Sequence, residues 1–263
     1  MKKIKLFLFI TSLIAILSYK LILKKTALVS ENITIFIHGT HTKILTKIFN
    51  KTLYVKDLNK INNLNNYNYI KWLAEKVSKA DQIGFPLEYF YAFGWSGKLC
   101  NKERLKAAQK LYEEILKLKK ELNILNIDPN FTLITHSHGG NLALNLATIK
   151  NVEKLHFDKL ILLACPVQEE TEEYLKNNIF KKVYSIYSKL DFIQILAPNI
   201  TKNSILSKRE FKNEEKLKQV CIKLNKRYIL HSEFIFKDFP EKIPKILAEM
   251  DKLSSNQVHK LNI

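Results

Sequence analysis

The stretch Phe131-Thr-Leu-Ile-Thr-His-Ser-His-Gly-Gly140 limits what this chain can fold into more than any other. Its first five residues are apolar or β-branched and read as a buried strand. Ser137 follows, set between two histidines and backed by two glycines, small residues that suit a tightly packed turn. Asn141-Leu-Ala-Leu-Asn-Leu-Ala-Thr148 is a good helix-forming run. Strand, sharp turn and helix in that order put Ser137 at a strand's carboxyl end with a helix N-terminus behind it, the setting a serine nucleophile requires.

The rest of the chain repeats the alternation. Residues 32–39 read as a β-branched strand closed by a glycine, with a turn at 40–42 and a short helix through Phe49. Residues 51–66 lack a clear period and read as a surface excursion. Helical spacing covers 69–80, a strand covers 87–93, and a Gly-Trp-Ser-Gly turn spans 94–97. Residues 101–122 form an amphipathic helix with a stripe through Leu105, Ala108, Leu111, Ile115, Leu118 and Leu122. Further strands are expected at 159–165, 182–188, 217–224 and 228–230, with helices at 168–178 and 240–253 and an irregular stretch at 192–215. Strands alternating with helices call for a mostly parallel central sheet with helices on both faces, an α/β domain over residues 31–255 followed by a polar tail at 256–263.

Ahead of that domain, residues 1–25 carry a basic head and an apolar run from Leu6 to Leu23 interrupted by Lys20. This is the pattern of a signal peptide or, with no obvious cleavage site, a signal anchor: an apolar helix long enough to cross a bilayer. A membrane-anchored or exported protein is expected rather than a cytoplasmic one, with membrane association through residues 6–23. Among the 263 residues the formal net charge is +18, with lysines scattered along the chain rather than gathered in one stripe. Either compositional bias or attraction to an anionic surface would give that charge, and no nucleic-acid motif accompanies it, so no nucleic-acid partner is expected. The three cysteines are widely spaced and form neither a disulfide framework nor a metal motif.

A serine hydroxyl needs a base, a group to orient that base, and donors for the oxyanion. In α/β sheets such groups collect beyond the carboxyl ends of strands. Ser137, Asp191 and His231 each follow an expected strand. Gly39 and Thr40 follow the first strand and, with the backbone N–H of His138, are candidates for the oxyanion donors. Asp191 is preferred over Glu169 and Glu170, and His231 over His156 and His259, on strand-end position. Trp95 and Ser96 read either as lining of a substrate pocket or as a structural turn. Arg104 is either the partner of a carboxylate or a solvated helix residue. The H-x-H and H-x-x-H spacings of His38, His41, His136 and His138 lack an accompanying carboxylate or cysteine, so no metal or cofactor is expected.

With these residues in place the chain resembles an α/β-hydrolase of the lipase/esterase-like kind. The His38-Gly39 turn resembles that fold's oxyanion strand, and Thr135-His-Ser-His-Gly139 resembles its G-x-S-x-G elbow with threonine in place of the first glycine. Phe93-Gly-Trp-Ser-Gly97, with Arg104 on the helix behind it, resembles a branch of bacterial lipase-like hydrolases carrying a W-S-G turn and an H-S-H-G-G elbow. The resemblance covers about residues 33–231 and beyond. It implies hydrolysis of small-molecule or lipid esters through a Ser137–His231–Asp191 acyl-enzyme mechanism. The alternatives are an acyltransferase with the same triad and a non-catalytic binding protein on this scaffold. A cap or lid over the site is expected somewhere in 192–226. Oligomeric state cannot be read from the sequence.

Overall fold

The computed structural model describes residues 28–40, 55–150, 155–195, 207–255 and 257–263. The expected apolar N-terminal helix and the short helix through Phe49 lie outside these residues. The described chain runs β1 (Val29–Ile37), β2 (Asp57–Lys60), α1 (Tyr69–Ala80), β3 (Phe90–Gly94), α2 (Asn101–Ile124), β4 (Ile127–His136), α3 (His138–Leu144), β5 (Phe157–Leu163), α4 (Glu169–Glu172), β6 (Phe180–Tyr187), α5 (Phe192–Ile195), β7 (Leu217–Leu224), β8 (Arg227–Tyr228), α6 (Phe239–Asp251) and β9 (Val258–Asn262).

These strands form one sheet in the order β2-β3-β1-β4-β5-β6-β7-β8, with β9 also paired to β7. Neighbours from β3 to β7 run parallel, while β2 and β8 are antiparallel additions. Both faces are covered, as the near-continuous apolar strands require. Ile33, Ile35, Phe131 and Leu133 face one layer with Ala108, Leu111 and Ile115 of α2. Phe36, Ile134 and Ile161 alternate on to the other, against Leu73 and Val77 of α1 and Ile243 and Ile246 of α6. The arrangement is consistent with the α/β-hydrolase architecture.

Chain order places the functional edge. From β1 the chain moves outward to β3, whereas from β4 it moves the opposite way to β5. The carboxyl ends of β1 and β4 therefore flank a topological switch point, where open α/β sheets form their crevice. The register aligns Ile37 with Thr135, so the turns at His38-Gly39 and His136-Ser137 leave adjacent strands at one level.

Several segments depart from the sequence reading. Part of the expected surface excursion, Asp57–Lys60, is an edge strand antiparallel to β3. Leu87–Tyr89 is a 3₁₀ turn that precedes β3 rather than its first residues. The helix expected over 168–178 is only α4 followed by 3₁₀ geometry at Glu173–Lys176, because Thr171 is drawn inward to bond Asn141 of α3. The irregular stretch contains α5, a turn capped by Asp191. The last residues are not a polar tail: Val258–Asn262 pairs in parallel with Gln219–Lys223 and covers part of the β7 edge.

Candidate active site

Ser137 leaves β4 at φ 52° and ψ −133°, a conformation seldom open to a residue with a side chain. Close packing on every side holds it there. Its N–H donates to Leu163 O at 2.9 Å. A Cβ added to Gly39 would stand 2.8 Å from Ser137 Cβ, so only glycine lets the β1 turn pass the serine. A Cβ on Gly139 would meet the carbonyl oxygens of Ile37 and His38 at 2.5 and 2.6 Å, so α3 sits directly against the end of β1. Thr135, where the elbow pattern has glycine, is fully buried and donates its hydroxyl to Ile161 O of β5 at 3.0 Å.

His231 reaches this edge by a tight hairpin. Asn225 and Lys226 both have positive φ and link β7 to β8, as a two-residue type I′ turn requires. The His231 Nδ1 nitrogen lies 2.7 Å from Asp191 Oδ2, and the Asp191 side chain is buried. The other carboxylate oxygen accepts the Gln194 N–H at 3.0 Å, so Asp191 also caps α5. A carboxylate only accepts, so Nδ1 carries the proton of this bond, and the neutral tautomer that fits it has its lone pair on Nε2. Ser137 and His231 share no direct hydrogen bond among the described residues. Their connection runs through His136, whose Nε2 donates to the His231 carbonyl at 3.0 Å. Nucleophile–base contacts are often long before substrate binds.

The oxyanion side is organised by His38. Trp95 N–H donates to His38 Nε2 at 3.2 Å, which leaves the proton on Nδ1 to donate to Gly39 O at 2.7 Å. Trp95 Nε1 donates to His38 O at 2.8 Å, and the two rings stack. Because a trans peptide sets its C=O and N–H in opposite directions, anchoring Gly39 O fixes the direction of the Thr40 N–H. The N–H groups of Thr40 and His138 have no acceptor among the described residues. Trp95 is thus engaged in bracing the turn, and Ser96 Oγ donates to Glu103 at 3.2 Å on the exposed side.

Behind the elbow lies Arg104, fully buried on α2, donating from Nη2 to Gln168 at 2.7 Å and toward Glu170 at 3.5 Å. It is therefore the buried carboxylate partner of the two readings open for it. Burial lowers its pKa, and the Glu170 charge works against that. Burial first, then the Arg104 charge and nearby His231, push the His138 imidazole down to about 3. Burial likewise holds His136 well below the ordinary histidine range. Both rings are neutral at physiological pH.

Glu233 plays a part that the sequence reading missed. It accepts the Leu230 N–H at 2.8 Å and both arms of Arg227 at 2.9 and 2.7 Å, with Lys237 at 2.8 Å. These cations, led by Arg227, bring its pKa down to about 2. The cluster fixes the turn that carries His231. A signal was present in Leu230-His-Ser-Glu233, where a carboxylate three residues on can return to the first N–H of a turn. Among the described residues no group of three His, Cys, Asp or Glu side chains converges to hold a metal.

No family model and no curated protein matches the sequence. Among solved structures the chain is similar to phospholipase PlaB from Legionella pneumophila in complex with thio-NAD, at 17% identity and a TM-score of 0.30 over 51% of this chain. The chain spans about a quarter of that protein, 25% of its length. It is also similar to ESTFA in its Fe-lacking apo form, at 9% identity and a TM-score of 0.40, covering 89% of this chain and 66% of that one.

Proposed function

We propose that this protein is a serine ester hydrolase acting on acyl esters, lipid esters among them. The observation that carries the reading is the pairing of His231 with buried Asp191 at 2.7 Å, set beside the strained turn of Ser137 at the sheet's switch point. His231 Nε2 takes the Ser137 proton as Oγ attacks the ester carbonyl, and Asp191 stabilises the imidazolium. The Thr40 and His138 N–H groups, with the Gly39 turn shaping the first, receive the oxyanion, each donor contributing on the order of 3 kcal/mol. His231 then protonates the departing alkoxide. Water, deprotonated by the same nitrogen, attacks the acyl-enzyme and frees Ser137.

Leu190, Phe192, Ile193 and Leu230 support a lipid or long acyl substrate. All four are exposed large apolar residues, and they flank Asp191 and His231. We further propose that residues 6–23 hold the protein at a membrane. β1 begins at the amino edge of the sheet and Ser137 stands at the carboxyl edge, about 30 Å away along ten residues of β4. The site would then open away from the tether. Fluorophosphonate labelling tests the reaction class. The wild-type chain should label and hydrolyse a short p-nitrophenyl ester, and Ser137→Ala should do neither. Undiminished labelling of Ser137→Ala would rule the assignment out.

A further inference from the structure

A cavity of about 640 Å³ opens beside the acid of the triad, between the end of β6 and the residues that lead into β7. Four cations line it: Lys189, Lys208, Arg209 and Lys212. The two carboxylates in its wall are already engaged. Glu172 accepts the Lys212 N–H at 2.8 Å and pairs with its ammonium, and Glu210 accepts the Tyr187 hydroxyl. Lys189 and Lys208 have no carboxylate partner among the described residues, and neither does Arg209.

One cation of the wall, Arg209, is held in place. Arg209 Nη2 donates to the carbonyls of Asp191 at 2.9 Å and Lys189 at 3.2 Å, which holds the guanidinium plane, while its buried Nε–H meets no acceptor among the described residues. Lys208 is pinned through its backbone, where Lys208 O accepts the Val167 N–H at 2.9 Å. A held guanidinium and two ammonium groups that meet no carboxylate among the described residues, set around one concavity, suit an anion with several oxygens. A second cavity, of about 890 Å³ at the amino ends of β5 and β6, lacks this character. There Lys176 pairs with Glu214 and Lys181 with Asp158, each at 3.7 Å.

We propose that the cavity beside Asp191 binds a phosphate group, carried by an ester substrate as its headgroup or supplied as free phosphate. The headgroup source rests on the ester-hydrolase reading above; the cavity itself does not. Exposed Leu190, Phe192 and Ile193 continue from its edge, so one substrate could set phosphate on the cations and acyl chains on the apolar rim.

The test uses the full chain in neutral detergent. Calorimetric titration with inorganic phosphate at low salt should show binding that weakens as salt rises. The double variant Lys189→Gln/Lys208→Gln should bind phosphate about tenfold more weakly. In mixed micelles, the rate ratio of phosphatidylglycerol to neutral diacylglycerol hydrolysis should fall about tenfold in the same variant, which identifies the headgroup as occupant. Weakened phosphate binding with an unchanged ratio identifies free phosphate as occupant. Absence of phosphate binding together with an unchanged ratio overturns the proposal, as does phosphate binding that the double variant leaves intact. If no ester is hydrolysed at all, the titration still decides the cavity while the ester-hydrolase reading fails.

Discussion

His136 Nε2 donates to the backbone carbonyl of His231 at 3.0 Å, and the two imidazole rings pack with centroids 4.6 Å apart. The residue before the proposed nucleophile thus holds the backbone of the proposed base. His136 suits this because burial keeps it neutral, with one proton and a fixed tautomer. Replacing it by phenylalanine leaves the His231 carbonyl without that donor, at a cost of about 1–3 kcal/mol. His136→Phe should lower kcat about tenfold or more with little change in KM, because the base is misplaced while the pocket stays intact. His136→Gln, whose amide can donate to the same carbonyl, should recover part of the loss. Ester kinetics on the two variants check this, and equal kcat in wild type and His136→Phe would refute it.

His138 makes stability depend on pH. Its folded pKa of about 3 lies below the unfolded histidine value of roughly 6.5. Below pH 6.5 the unfolded chain takes up a proton that the folded chain refuses until about pH 3. Stability is therefore full above pH 6.5 and declines as pH falls through that window, by up to about 1.4 kcal/mol per pH unit from this residue. His136 acts in the same direction. Urea unfolding at pH 7.5, 6 and 5 should give a shallower slope for His138→Leu than for wild type, whatever the variant's absolute stability. Parallel slopes would count against the buried neutral histidine.

Much of this arrangement was legible in the sequence, and the limits follow from how each part is encoded. Helix α1 was bounded correctly because its apolar spacing is local and Asn68 caps it, accepting from Ile70 N at 2.9 Å. Ser137 directly follows β4, as its apolar run suggests, whereas three residues separate Asp191 from the end of β6, and His231 follows not a strand over 228–230 but the two-residue antiparallel β8 at Arg227–Tyr228. Other features depend on residues distant in the chain. β9 exists because Val258 finds Gln219, and β2 because Leu58 finds Phe93; both segments look polar alone. Helix α4 stops after four residues because Thr171 meets Asn141. The histidine-to-carbonyl brace and the basic cavity join residues more than fifteen positions apart, a distance at which a single sequence has no period to reveal them.

Glu233 stabilises the turn carrying His231 through charge. Its folded pKa of about 2 lies below the unfolded carboxylate value near 4.3. The stabilisation is present above pH 4.3 and is lost as pH falls toward 2. Arg227 is more than half exposed, so solvent screens part of the effect, and added salt should weaken it. Glu233→Gln should therefore destabilise the fold at pH 7, with the difference from wild type shrinking between pH 4.3 and 2. The variant should also lower kcat several-fold, since Leu230 and His231 lose their charged anchor. Chemical unfolding at pH 7, 4 and 3 gives the first comparison, and a constant difference across that range would show that Glu233 acts by packing alone.

Thr135 stands where the elbow pattern has glycine, and restoring the glycine should harm this protein. The threonine is fully buried, its hydroxyl donates 3.0 Å to Ile161 O, and its backbone pairs beside Ile37 on one side and Leu162 on the other. Thr135→Gly removes that hydrogen bond, leaves a methyl-sized void, and adds backbone freedom to the unfolded chain. Each of these costs about 1 kcal/mol, and the total should be about 2–3 kcal/mol. Thr135→Val keeps the shape and loses only the hydroxyl, so it should cost about 1 kcal/mol. If the threonine were a defect in the elbow, Thr135→Gly would instead raise activity at little cost. Urea midpoints for the two variants, read beside ester kinetics, separate these outcomes. The expected order of stability is wild type, then Thr135→Val, then Thr135→Gly. A Thr135→Gly chain as stable as wild type would mean that β4 and β5 meet at this level without help from the threonine.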